Sequence, residues 1–358
     1  MSVNHGANLY DLSKKYGFSK DEFMDFSSNI NPFGTSELAK SFIINNIDIV
    51  SRYPDPSYSE LKNSISSYCN CSKENILLGS GATELISSFI DILNPKKAVL
   101  ISPAYSEYEK ELNKIDCSIT KYYSKEENNF IIDIKDLINF INQDNYDLVV
   151  ICNPNNPTGF TFSNTELSQL LTSTNTHVMV DETYIEFTDT KTFSSTSLID
   201  KYDNLFVIRG TSKFFSTPGI RLGYGFISNS DLKSSMSKKL DLWNINIVAS
   251  SMGEIMFSDK DFINSTINVM SSERDYLNNE LNKIKDLTIY NSQGNFILCK
   301  INSKKLTANE LREKLIPHKM IIRDCTSFDG LDEYFFRVCI LKQHENRLLI
   351  SELNKIFS

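Results

Sequence analysis

Thr211-Ser212-Lys213-Phe214-Phe215-Ser216-Thr217-Pro218-Gly219-Ile220-Arg221-Leu222-Gly223-Tyr224-Gly225 is the stretch that decides how the chain is read. It sets one lysine behind small hydroxyl residues and follows it, eight positions on, with an arginine in a Gly-rich turn. A lysine that forms a Schiff base needs a partly dry pocket and neighbours that lower its pKa. An arginine close by can clamp a phosphate through two parallel hydrogen bonds. Together Lys213 and Arg221 describe a site for a phosphorylated aldehyde, with Ser212 available to the phosphate. A surface lysine and a structural arginine in a turn are the plain alternative, so the reading needs support from the rest of the chain.

Support lies upstream, at the ends of short apolar runs. Leu148-Val149-Val150-Ile151-Cys152 reads as a buried strand, ended by the turn Asn153-Pro154-Asn155-Asn156-Pro157-Thr158-Gly159. Ligands in open α/β sheets bind at the carboxyl ends of strands, so a polar turn there is well placed. His177-Val178-Met179-Val180 ends in Asp181, with Tyr184 three residues on. A carboxylate in that position can hold the proton of a pyridine nitrogen and make the ring an electron sink. The strand Ile76-Leu77-Leu78 runs into Gly79-Ser80-Gly81-Ala82 and a helix. Glycines let the backbone approach an anion, and the helix N-terminus offers it free N–H groups. Glu84 stands where a dinucleotide fingerprint needs its third glycine, which disfavours a nicotinamide enzyme. Ala98-Val99-Leu100-Ile101 leads to Ser102-Pro103-Ala104-Tyr105, an aromatic residue at a strand end. Tyr334-Phe335-Phe336-Arg337-Val338 reads as a strand with one arginine, and an arginine in an apolar strand needs an anionic partner.

In this order and spacing the segments resemble the fold-type I pyridoxal 5′-phosphate (PLP) enzymes of the class I/II aminotransferase superfamily. The resemblance covers nearly the whole chain. It implies an α/β fold: a large domain with a mainly parallel sheet flanked by helices, and a smaller α+β domain. It implies PLP bound as a Schiff base to Lys213, with Asp181 on the pyridine nitrogen and Asn156 and Tyr184 on the ring hydroxyl. Tyr105 stacks on the ring. Gly81, Ala82, Ser212 and Arg221 hold the phosphate, and Arg337 takes the substrate carboxylate. Arg52-Tyr53-Pro54 resembles the segment whose tyrosine reaches the phosphate of the neighbouring subunit, which makes Tyr53 a partner-supplied ligand and the active protein a homodimer. Gly210 departs from the pattern, because relatives often carry Ser or Thr three residues before the lysine.

Two groups within the family compete: L-threonine-O-3-phosphate decarboxylases of cobalamin synthesis and histidinol-phosphate aminotransferases, which use 2-oxoglutarate and glutamate as amino partner. His5-Gly6-Ala7-Asn8, Asp25-Phe26-Ser27-Ser28-Asn29-Ile30-Asn31-Pro32 and Ile322-Arg323-Asp324-Cys325-Thr326-Ser327-Phe328-Asp329-Gly330-Leu331 look like the decarboxylase. The expected product is then aminopropanol phosphate. This resemblance implies that Arg323 and His5 bind the substrate phosphate, with Asn31 in the same pocket. An Arg323–Asp324 pair and an ordered N-terminal His5 are the plain alternatives.

Composition says nothing against a small anionic substrate, which needs only a few local cations. The chain has 358 residues, 41% of them hydrophobic, enough for two domains. A net charge of −8 argues against a nucleic-acid surface, so a DNA-binding regulator on this fold is a poor rival. The apolar runs are strand length, so no membrane span is expected. The start of the chain lacks a basic and apolar leader, and the seven cysteines are scattered, so free thiols and a cytoplasmic protein are expected. The four histidines show no metal-ligand spacing, so no metal is expected. The large domain is placed at 45–255, and the small one at 1–44 with 256–358. Residues 228–284, polar and free of proline, suit a long connecting helix.

Overall fold

The computed structural model describes residues 8–358, so the candidate ligand His5 lies outside the described residues. The strands are β1 (Met24–Asp25), β2 (Ile76–Gly79), β3 (Lys97–Ser102), β4 (Ser118–Tyr123), β5 (Leu148–Cys152), β6 (His177–Asp181) and β7 (Leu205–Gly210). They continue with β8 (Gly223–Ile227), β9 (Leu287–Ile289), β10 (Phe296–Ile301), β11 (Met320–Ile321), β12 (Arg323–Asp324) and β13 (Phe335–Cys339). Seven of them form one sheet in the order β2-β8-β7-β6-β5-β3-β4. β8 is antiparallel to both of its neighbours, and the other pairs are parallel.

The sequence explains this sheet. Leu148–Cys152 and Val178–Asp181 are buried at every position, as strands covered on both faces must be. The helices Ala82–Leu93, Ser106–Lys114, Ile134–Ile141 and Asn164–Ser173 alternate with these strands and provide the cover. Their starts are fixed locally: Asp133 caps the third, and Ser163 with Glu166 forms a capping box on the fourth. Because the strands are parallel, the turns after β2, β3, β5, β6 and β7 all meet at one edge of the sheet. The antiparallel β8 begins at that same edge, just after Arg221.

The expected long helix over residues 228–284 is instead three: Ser230–Lys239, Ile247–Met256 and Lys260–Leu281. Asn246 and Asp259 cap the second and third helices through their side chains, and Trp243 turns the chain with φ +60°. Such short polar residues compete with the helical backbone for hydrogen bonds and so interrupt it. Residues 320–324 are divided as well, into β11 and β12. β11 pairs in parallel with β1, while β12 joins the antiparallel sheet β12-β13-β10-β9. The β1–β11 pair returns the early part of the chain to the C-terminal region.

Candidate active site

The turns at the sheet edge enclose a cavity of about 330 Å³. It is lined by Lys213, Asp181, Tyr184, Asn156, Tyr105, Ala82, Ser212, Arg221, Arg323 and Arg337, residues that span more than 250 positions of sequence. A roomier cleft of about 640 Å³ lies between residues 56–78 and 230–244, and it holds none of the motif residues. The chemistry sits in the smaller cavity, where the titratable groups converge.

Lys213 Nζ donates to the Ser28 carbonyl at 2.7 Å. Burial, and then the charge of Arg337, push its pKa down to about 8. A neutral amine is the nucleophile that attacks an aldehyde, so this environment primes the lysine. Asp181 is only 4% exposed. One of its oxygens accepts from the Thr183 backbone N–H at 2.9 Å and from the Thr183 hydroxyl at 2.5 Å. The other accepts from the Tyr108 hydroxyl at 2.6 Å. Burial raises the Asp181 pKa, while these hydrogen bonds pull it back toward the ionised form. Tyr184 is buried, and burial pushes its hydroxyl pKa up. Its oxygen accepts weakly from Asn29 at 3.5 Å.

The phosphate end is built of backbone. Gly81 has φ +81° and caps the helix Ala82–Leu93 without a side chain, so the first N–H groups of that helix have no side-chain cap. A Cβ at Gly81 would collide with the Arg221 guanidinium, and one at Gly223 would collide with the Ala82 backbone nitrogen. Arg221 itself holds φ +60°. At Gly210 a Cβ would meet Ala82 Cβ at 3.5 Å, an ordinary contact, so packing alone does not demand glycine there.

The substrate side is built of two arginines. β12 and β13 pair with Arg323 opposite Arg337, which puts both side chains on one face of the sheet. Arg337 is 4% exposed and donates to Asn156 Oδ1 and, at 2.5 Å, to the Ser27 carbonyl. Its Nε is buried without a partner, and no carboxylate among the described residues pairs with it. Since arginine only donates, Asn156 must turn its oxygen toward Arg337, and this leaves its amide N–H₂ to donate elsewhere in the cavity. Arg323 donates to Ser327 Oγ at 2.9 Å and lies 5.5 Å over the Phe328 ring. Burial lowers its pKa, and Arg337 adds to that. Two like charges opposed across a strand pair repel, and an anion between them removes the conflict.

Two candidates lie elsewhere. Asn31 does not line the cavity. Its amide donates to the Phe214 carbonyl at 2.8 Å and its oxygen accepts from Phe33 N–H at 3.0 Å, so it holds the lysine segment from behind. Tyr53 is 77% exposed and stacks on Trp243 with ring centroids 4.4 Å apart, away from the cavity of its own chain. Sequence reasoning gave no site role to Tyr108, Thr183, Ser28 and Phe328, all of which line the cavity. The spacing of Tyr105 and Tyr108 at a helix start was a usable signal, since residues three apart share a face.

The donor set fits PLP. A cradle at Gly81 that a Cβ would fill, an uncapped helix N-terminus, a buried carboxylate and a desolvated lysine are the groups its phosphate, ring nitrogen and aldehyde require.

Residues 21–353 match the model of the family "Aminotransferase class I and II", and the chain belongs to that family of enzymes. It is 34% identical over 357 residues to the adenosylcobalamin biosynthesis bifunctional protein CobDQ of Leptospira interrogans. That match covers 99% of this chain and 41% of the relative, so the chain spans less than half of that protein. It is 28% identical to the threonine-phosphate decarboxylase of Salmonella typhimurium, over 99% of this chain and 96% of the relative. Among solved structures, the histidinol-phosphate aminotransferase from Clostridium acetobutylicum superposes with a TM-score of 0.86 at 33% identity, covering 92% of this chain and 98% of that one. Among the described residues no helix is long and apolar enough to cross a membrane, and no cluster of side chains could hold a metal ion.

Proposed function

We propose that the chain is a PLP-dependent decarboxylase of L-threonine O-3-phosphate that yields aminopropanol phosphate. The observation that carries the reading is the cross-strand pair Arg323–Arg337. It fixes two cations on one face, both lining the cavity that Lys213 enters. Threonine phosphate has two anions, a carboxylate and a phosphate. The charge of Arg337 helps to lower the Lys213 pKa, and Arg337 is the arginine assigned to the carboxylate. Arg323 takes the phosphate.

PLP held on Lys213 supplies the electron sink for the bond broken at Cα. Asp181 would hold a proton on the ring nitrogen, and the hydrogen bonds from Tyr108 and Thr183 favour its ionised form against the effect of burial. Asn156 and Tyr184 would donate to the ring hydroxyl, and Tyr105 would cover the ring face. Gly81, Ala82, Ser212 and Arg221 would hold the cofactor phosphate. The two arginines would hold the two anions of the substrate and so fix its orientation in the cavity that Lys213 enters. Lys213 Nζ, whose pKa is lowered to about 8, would be the group to return a proton to the carbon.

The cavity belongs to a homodimer between whose domains, 45–255 and 1–44 with 256–358, the substrate is enclosed. Leu38, Ile44, Ile47, Val50 and Tyr53 form an exposed apolar run, joined by Leu242 and Trp243, which a second copy would cover. Tyr53 would then reach the phosphate of the partner's PLP.

A second reading, histidinol-phosphate aminotransferase, is favoured by the 33% identity to the Clostridium acetobutylicum structure. In that reaction Arg337 serves only the glutamate half, because histidinol phosphate has no carboxylate. The test offers the PLP-loaded protein L-threonine O-phosphate alone, and histidinol phosphate with 2-oxoglutarate. CO₂ from the first supports the decarboxylase. Glutamate from the second, with no CO₂ from the first, replaces it with the aminotransferase.

A further inference from the structure

Asp329 lies in the turn between β12 and β13, and it is tied to the edge strand of the large sheet. Lys121 Nζ and the Tyr123 hydroxyl both donate to Asp329 Oδ2, each at 2.7 Å. Lys121 and Tyr123 are two apart on β4, so they share a face of the strand. Lys121 also pairs at 3.0 Å with Glu109, on the helix that carries Tyr108. The backbone at Gly330 rests on the Tyr123 ring. A Cβ there would come within 3.0 Å of Tyr123 Cδ1, and φ is +93°.

The residues just before Asp329 hold Arg323. Ser327 Oγ accepts from its guanidinium at 2.9 Å, and the Phe328 ring lies 5.5 Å beneath it and lines the cavity. Cys325 and Leu331 anchor the two ends of the turn in a small apolar cluster with Phe130, Tyr290 and Phe335. The middle of the turn is pinned by Asp329. A continuous set of contacts therefore runs from β4 through Asp329 and Ser327–Phe328 to Arg323.

We propose that Lys121 and Tyr123 are positioning residues that fix this turn, and through it Arg323, and so set the selectivity for a phosphorylated amino acid. The inference rests on the reading of Arg323 as the phosphate ligand. Neither residue touches the substrate. Each restrains the turn that presents the arginine, and an arginine held in place loses less rotamer freedom on binding an anion. The Lys121–Asp329 pair is partly exposed, so its effect is modest and weakens with salt.

The test uses PLP-loaded protein and compares wild type with Lys121→Met/Tyr123→Phe, Lys121→Arg and Arg323→Ala. Steady-state kinetics with L-threonine O-phosphate give KM and kcat. Titration of the visible PLP absorbance gives dissociation constants for L-threonine O-phosphate and for L-threonine. In the double variant, binding of L-threonine O-phosphate is expected to weaken about fivefold, or roughly 1 kcal/mol. L-Threonine binding and kcat stay within about twofold, and Lys121→Arg retains the wild-type preference. A preference for the phosphorylated ligand lost in Arg323→Ala but intact in the double variant overturns the positioning role alone. A wild type with no such preference overturns the phosphate reading of Arg323 and this inference with it.

Discussion

Replacing Lys213 by Met in the cofactor-free protein should stabilise it at neutral pH, and the gain should disappear in alkali. The displacement of the Lys213 pKa from 10.5 to about 8 is the free-energy cost of keeping an ammonium partly desolvated and under the charge of Arg337. At about 1.36 kcal/mol per pH unit it amounts to roughly 3 kcal/mol. Lys213 keeps some contact with solvent, which brings the expected figure to about 1–3 kcal/mol. The sign follows from proton linkage. Below pH 8 both folded and unfolded chains carry the proton, and the folded one bears the full cost. Between pH 8 and 10.5 the unfolded chain binds a proton that the folded chain does not, so wild-type stability rises with pH relative to the variant. Above 10.5 the cost is gone. Met keeps most of the side-chain volume and removes the charge. Urea unfolding of apo wild type and Lys213→Met at pH 7, 9 and 10.5 reads the difference directly. A gap of the same size at pH 7 and pH 10.5 would refute the reasoning, since packing and the lost bond to Ser28 do not titrate.

Arg337→Ala should weaken amino-acid binding at least tenfold, the range of a hydrogen bond to a charged group, with PLP affinity unchanged; titrations of each ligand check this, and equal loss of both would make Arg337 structural. Tyr108→Phe removes one of the hydrogen bonds that Asp181 accepts, and chemical denaturation should report a loss of about 1–3 kcal/mol. Gly81→Ala should lower PLP affinity while the fold survives, because the new methyl group occupies the place of the Arg221 guanidinium; equilibrium dialysis against PLP measures it.

Much of this site was legible because its groups sit at strand ends. Lys213, Asp181, Asn156 and Tyr105 each follow an apolar run, and a parallel sheet brings such ends together whatever their distance in sequence. The facing of Arg323 and Arg337 was not legible. It depends on strand register, which the sequence between them does not encode locally. The role of Tyr108 was hidden for a related reason: only the fold places Asp181 of β6 against its hydroxyl. The division of residues 228–284 into three helices was hidden because the breaks use Asn246 and Asp259 as caps, with no proline or glycine to mark them. Asn31, expected in the substrate pocket, is held by the backbone of Phe33 and Phe214, a contact that only the fold creates.

Which bond breaks at Cα is best read by supplying L-threonine O-phosphate to the PLP-loaded protein in D₂O and following it by proton NMR. Carboxylate loss should release CO₂, place one deuterium on the product carbon, and leave the Cα hydrogen of unreacted substrate in place. Exchange of that hydrogen in recovered substrate, without CO₂, would mean that the arginines present the C–H bond instead and that the protein is not a decarboxylase.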